Sequence, residues 1–259
     1  MILLEKKIAI VTGASRPRGI GAAVCRELAR QGVDIFFTHL SRYDTATGYE
    51  DVIDHWPKEF TAELSRLGVR AGNMELNLAD DDAPVKLLDE VKKQLGQPVI
   101  LINNATHCVE AGFQQLTGRI LEDHCAVNIK GTCMLSAEFA KQLLGGGHSG
   151  RIVNFVSGQD KSPAPGNLAY AATKGAVSAF TKSLAAELAH HHITVNAIDP
   201  GPTDSGWMNE ELQDFLLPKF PMGRIGTPED AARLVAFLAS DAAKWITGQI
   251  IHSDGGFRD

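Results

Sequence analysis

The sequence predicts a three-layer α/β domain: a doubly wound parallel sheet of about seven strands with helices on both faces. Three observations carry that prediction. Apolar runs of strand length alternate with helical periods along the chain, a pattern that implies right-handed crossovers. The strand runs are almost wholly apolar, as burial on both faces requires. A glycine-rich turn joins the first strand run to the first helical run. No internal repeat or low-complexity linker breaks the pattern, so residues 1–259 are expected to form one domain.

The elements follow in order. KIAIVT (residues 7–12) reads as a strand and IGAAVCRELARQG, after the glycine turn, as a helix. VDIFFTH (33–39) is the second strand. The polar stretch LSRYDTATGYEDVIDHW precedes the helix PKEFTAELSRLG. A strand near 70–78, a helix near 84–95 and the strand PVILINN (98–104) come next. Apolar periodicity over 116–144 predicts one long helix, stopped by Gly145-Gly146-Gly147. RIVNFVS (151–157) is a strand, and GNLAYAATKGAVSAFTKSLAAEL supplies the following helix. ITVNAIDPG leads into a mobile-looking segment reaching about residue 221. A helix over 228–240 and the strand QIIHSD finish the pattern.

Composition narrows the function classes. A 44% hydrophobic content over 259 residues supports a substantial core. The net charge of −6 gives no basic footprint for nucleic acid or an anionic membrane. No apolar run reaches the length of a membrane span. Cys25, Cys108, Cys125 and Cys133 are scattered without a C-x-x-C pair, which suggests reduced thiols in a cytoplasmic protein. MILLEKKIAIVTG runs directly into a strand, so no signal peptide is expected.

Tyr170 and Lys174 stand four residues apart, on one face of a helix. A phenol titrates near about 10, and a lysine one turn away favours the phenolate and lowers that value. Such a pair is a proton-transfer device; a chance surface pair is the competing reading. The turn Thr12-Gly13-Ala14-Ser15-Arg16-Pro17-Arg18-Gly19-Ile20-Gly21 lets backbone N–H groups approach a pyrophosphate at a helix N-terminus. Its spacing is not G-x-G-x-x-G. The second strand ends Phe37-Thr38-His39-Leu40-Ser41, without the acid that a Rossmann fold preferring NAD carries there. Arg16 and Arg18 in the turn, and Arg42 past the strand, suit a phosphate monoester. NADP(H) is therefore expected over NAD(H), with solvated loop arginines as the alternative.

These motifs together resemble the short-chain dehydrogenases/reductases over essentially the whole chain. Residues 12–21 resemble the family's glycine motif, and Asn103-Asn104-Ala105 its structural Asn-Asn-Ala. Asn128, in VNIKG, matches the helix asparagine. Ser157 lies thirteen positions before Tyr170, as the family's serine does, and Tyr170 and Lys174 match its Tyr-x3-Lys. Pro200-Gly201-Pro202-Thr203 matches the loop beside the nicotinamide. Ile246-Thr247-Gly248-Gln249 and Asp254-Gly255-Gly256 match the C-terminal signature. In overall character the chain is most similar to the 3-oxoacyl-acyl-carrier-protein reductase-like branch.

The resemblance implies a ketone reductase in which Tyr170 is the general acid. Lys174 lowers the Tyr170 pKa and holds the nicotinamide ribose, Ser157 bonds the substrate oxygen, and Asn128 holds a water that links Lys174 to solvent. Implied cofactor contacts are Gly13, Ser15, Arg16, Arg18, Gly19, Ile20, His39, Asn77, Leu78, Asn104, Ala105, Pro200, Gly201 and Thr203, with Tyr170 and Lys174. It also implies a small carbonyl or alcohol substrate and a homotetramer (or homodimer) built on the 116–144 helix and the Tyr170 helix. No metal, nucleic-acid or membrane partner is expected.

Some residues depart from the family pattern. The glycine turn is two residues longer than Thr-Gly-x3-Gly-x-Gly, as in the family's enoyl reductases, whose Tyr-to-Lys spacing is longer than here. Tyr170-x3-Lys174 thus argues for C=O rather than C=C reduction. Thr106 stands where Gly is usual, and Asn77 where an Asp often contacts adenine. The stretch 42–56 is longer than usual and has no functional account. An NAD-linked sugar or alcohol dehydrogenase, an enoyl reductase-like enzyme and a dinucleotide-sensing scaffold are the rivals.

Three further features need a reading. His190-His191-His192 cannot converge on one ion, because successive helical residues point about 100° apart; they suit a helix C-terminus. Cys108 reads as a small packing residue, with the substrate pocket as the alternative place for it, and His107 as a candidate pocket wall. Gly206-Trp207-Met208 and Phe215-Leu216-Leu217 lie in a substrate-loop segment around 203–221 and suit a hydrophobic or acyl substrate, or equally a core or subunit contact.

Overall fold

Alternate side chains of the strands feed two separate cores. In β1 (Ile8–Val11) Ala9 and Val11 enter one core, while Ile8 and Ile10 enter the other. The same division holds in β2 (Asp34–His39), with Ile35 and Phe37 against Phe36, and in β4 (Ile100–Asn103). This two-sided burial is why the strand runs lack polar alternation. The computed structural model describes residues 6–49, 51–158 and 161–258. Its remaining strands are β3 (Ala71–Glu75), β5 (Gly150–Phe155), β6 (Ile193–Asp199) and β7 (Ile250–His252). All seven form one parallel sheet in the order β3-β2-β1-β4-β5-β6-β7.

The helices divide between the faces. One core takes residues from α1 (Ile20–Arg30), α3 (Trp56–Arg66) and α9 (Pro228–Ala239). The other takes α4 (Ala83–Gln94), α6 (Thr132–Gly146) and α7 (Leu168–Leu188). Phe36, Phe37, Phe60 and Phe139 are fully buried, each stabilising by roughly 1.5–3 kcal/mol through burial.

The strand order reverses between β1 and β4, and a crevice opens there at the strands' C-terminal ends. Its walls are closely held. Gly13 has φ +73°, and a Cβ on it would sit 2.7 Å from the Ala105 Cα. Asn104 Nδ2 donates to the carbonyls of Thr12 (2.8 Å) and Gly13 (2.9 Å), while Thr12 Oγ1 accepts from the Asn104 and Ala105 N–H groups.

Three segments differ from the sequence reading. The polar stretch after β2 contains a short helix, α2 (Ser41–Thr47), closed by Gly48 in the left-handed region. The 116–144 helix is three pieces: α5 (Gly118–His124), a π-helical turn (Cys125–Gly131) and α6. That wider turn carries tertiary contacts at Asn128, described below, and at Gly131, where a Cβ would lie 3.0 Å from the Leu78 carbonyl oxygen. The segment after β6 is ordered around α8 (Glu210–Leu216), capped by Asn209, with a small core of Met208, Leu216 and Phe220.

Candidate active site

Helix α7 carries Tyr170 and Lys174 past the end of β5. The Tyr170 side chain hydrogen-bonds that of Ser157. Lys174 Nζ donates to the Phe155 carbonyl at 2.8 Å and lies 5.4 Å from the Tyr170 ring centre. Burial pushes the Tyr170 phenol well above its ordinary value, against a lowering by the Ser157 hydrogen bond. Burial also pulls Lys174 down to about 8. The expectation that Lys174 lowers the phenol is therefore not what the geometry shows. The ammonium turns to a backbone carbonyl, and desolvation dominates both groups.

Asn128 is linked to the same turn of α7. Its Nδ2 donates to Thr173 Oγ1 (3.0 Å) and to the His107 carbonyl (2.9 Å). Its Oδ1 accepts from the His107 N–H (2.7 Å) and from Thr106 Oγ1 (3.2 Å). Both donors and both lone pairs are thus used. A water chain to Lys174 through this amide would have to break one of these bonds.

A cleft at the β1/β4 crevice gathers ten of the expected cofactor residues: Gly13, Ser15, Arg16, Gly19, Ile20, His39, Asn77, Leu78, Asn104 and Ala105. Tyr170 and Lys174 lie within electrostatic reach of Cys108, which also lines it. Arg18 and the Pro200–Gly201–Thr203 turn do not line it. Arg18 is exposed and faces Asp204 at 3.6 Å. Gly201 packs on Asp254, and the Thr203 hydroxyl turns back to Pro200 O and Gly201 O. Asn77 uses its side chain on Asp80 and on the Ala79 N–H.

Arg16 also differs from expectation. It is buried, with Nη1 2.5 Å from Asp51 Oδ1 and 3.2 Å from the Ser205 carbonyl. Asp44 lies 3.7 Å away, and the Tyr49 ring stacks at 3.6 Å. Tyr43, Asp44 and Tyr49 line the cleft, and none was singled out by sequence. The unusual length of 42–56 and its mix of tyrosine with aspartate were the available signal.

Cys108 proves to be a cleft wall rather than packing, and its N–H donates to the Tyr43 hydroxyl at 3.0 Å. His107 lines the cleft as expected, edge-on to the buried His124 at 4.6 Å. Two buried polar atoms of cleft residues, His39 Nδ1 and Asp44 Oδ2, have no partner. The three consecutive histidines lie where α7 gives way to a 3₁₀ turn, as expected. Asp199, His252 and Asp254 bring ligand-type atoms within 4.8 Å of one another. They are engaged by protein groups: Asp199 by His252 Nδ1 (2.7 Å) and the Gly201 N–H, Asp254 by Lys161.

A family model described as enoyl-(acyl carrier protein) reductase matches residues 13–258. The uncharacterized oxidoreductase YjdA of Bacillus subtilis is 54% identical over 254 residues, spanning 98% of this chain and 97% of that protein. The 3-oxoacyl-[acyl-carrier-protein] reductase FabG of Staphylococcus epidermidis is 36% identical, over 96% and 98% of the two chains. A solved structure of a Serratia marcescens short-chain dehydrogenase/reductase double mutant superposes with a TM-score of 0.86 at 29% identity, covering 99% of each chain.

Proposed function

The chain belongs to the short-chain dehydrogenase/reductase family of oxidoreductases, and from that premise we propose that it reduces a ketone to an alcohol with NADP(H). The carrying observation is the Tyr170–Ser157 hydrogen bond, with Lys174 one turn along α7, beside the cleft at the β1/β4 crevice. A nicotinamide dinucleotide fits that cleft. Main-chain N–H groups of the glycine turn precede α1, and the partnerless His39 Nδ1 and Asp44 Oδ2 belong to its walls. When bound, it supplies the hydride.

The protein's part is proton and charge management. Tyr170 donates the proton to the carbonyl oxygen, and its burial keeps the phenol protonated near neutral pH, as reduction requires. The Ser157 hydroxyl bonds the same oxygen as charge grows there. Lys174 holds the ribose side of the cofactor. The NADP(H) preference rests on Arg16 and Arg18 at the glycine turn, on the exposed Arg42 and on the missing acid at the end of β2. Asp44, whose Oδ2 has no partner, favours a second reading in which ribose hydroxyls are bound and NAD(H) is preferred.

For substrate we favour 3-oxoacyl thioesters, in line with the name of the Staphylococcus relative and with the exposed apolar side chains Trp207 and Phe215. The family model's description and the lengthened glycine turn favour enoyl reduction instead; the Tyr-x3-Lys spacing opposes it. We further place the chain in the cytoplasm as one domain, assembled as a homotetramer through α6 and α7. A panel of ketones and enoyl thioesters, followed by NADPH consumption, tests the substrate class. Tyr170→Phe is expected to lower kcat on any accepted ketone by about 10²–10⁴-fold. Unchanged turnover by that variant would sink the mechanism.

A further inference from the structure

The glycine turn already holds an anion. Asp51 Oδ1 accepts from Arg16 Nη1 at 2.5 Å, and Asp51 Oδ2 accepts from the Arg18 backbone N–H at 3.1 Å. A guanidinium joined to a main-chain N–H just ahead of a helix is the donor set that phosphates take. Here a carboxylate of the chain itself fills it. The Arg16 side chain is only 9% exposed, so this pairing is weakly screened. Asp44 adds a second carboxylate at 3.7 Å, on a residue that lines the cleft and whose Oδ2 is buried without a partner. Two acids thus surround one buried arginine. Both arrive on the 42–56 stretch.

We propose that Asp51 is a specificity-determining residue that competes with the 2′-phosphate of NADPH for Arg16 and the Arg18 N–H. The inference rests on the reading that the cleft takes a nicotinamide dinucleotide. NADH carries no phosphate at that position and leaves the Asp51 contacts intact. NADPH must either displace the carboxylate or bear repulsion between a phosphate monoester and two acids. On either course the penalty falls on NADPH alone, so it appears in the ratio of the two dissociation constants.

The test is equilibrium binding of NADPH and of NADH, by fluorescence titration, to the wild-type chain and to Asp51→Asn, Asp51→Ala and Asp51→Glu. Removal of the charge is expected to tighten NADPH by about tenfold or more, with NADH changed by less than about twofold. Asp51→Glu keeps the charge and is expected to keep the wild-type ratio. Thermal melts identify any variant that fails to fold, and the remaining charge-removing variant then decides. A ratio unchanged in Asp51→Asn and Asp51→Ala overturns this inference alone. Failure of the wild-type chain to bind either dinucleotide overturns the proposed function, and this inference with it.

Discussion

Lys174 is 4% exposed and donates to a neutral carbonyl, so its charge is costly to bury. The cost has a definite pH window. The folded-state pKa is pulled down to about 8 from the ordinary 10.5. Between those values the unfolded chain binds more protons than the folded one, so stability rises with pH there. Below about pH 8 the penalty is complete. Lys174→Met is therefore expected to stabilise the fold most at neutral pH, with the gain fading as pH approaches 10.5. Denaturant midpoints across that range check it, and a pH-independent difference would contradict a desolvated ammonium. At this scale the sequence was informative where a residue's role follows from spacing. Tyr170 and Lys174 share a helix face because of their spacing, whereas Ser157, which hydrogen-bonds Tyr170, was legible only through the family resemblance. Asn128 shows the limit: its four hydrogen bonds lead to Thr106, His107 and Thr173, from segments whose proximity no local pattern encodes.

Strands were legible as elements because burial on both faces leaves an unbroken apolar run. The π-helical turn was not, since the contacts around it come from outside the element, from Leu78 standing close to where a Cβ on Gly131 would lie and from His107 bonded to Asn128. Helix α2 was hidden for another reason. Of its seven residues only Asp44 is buried, so the stretch reads as solvated loop. The glycine turn makes a sharper prediction. Gly13 sits at φ +73° with the Ala105 backbone 2.7 Å from where a Cβ would stand. Gly13→Ala thus combines left-handed strain with a backbone clash, and is expected to cost at least about 1–3 kcal/mol. The first strand is then displaced from the Asn104 contacts, so dinucleotide affinity should fall along with the melting temperature. A variant that melts like the wild type would show that the turn can adjust freely.

Across the whole molecule, large apolar side chains remain uncovered. Trp245 is 96% exposed, and Met134 and Leu144 of α6 and Leu168 of α7 are each more than a third exposed. Surface of this kind on adjacent helices fits contact with further copies of the chain. Light scattering at micromolar concentration is expected to give the mass of four chains; a monomer would remove the assembly proposed above. The overall architecture was readable because strand and helix alternation leaves few topologies open. Who covers these side chains was not, because a helix packed on a neighbour copy and one packed on its own sheet use the same residues.

The Tyr43–Cys108 hydrogen bonds also have a kinetic consequence. They join α2 to the loop after β4, closing a ring of chain whose members line the cleft. On the proposed function, a dinucleotide entering the cleft would have to pass this ring, or the ring would have to part. The fastener is a pair of neutral hydrogen bonds, the Cys108 N–H to the Tyr43 hydroxyl and that hydroxyl to the Cys108 carbonyl at 3.5 Å, each worth about 0.5–1.5 kcal/mol. Such a clasp is too weak to decide whether the cofactor binds and sufficient to lengthen how long it stays. If the proposed function holds, Tyr43→Phe is expected to shorten the dwell time of the dinucleotide more than it changes its affinity, as stopped-flow dissociation would measure.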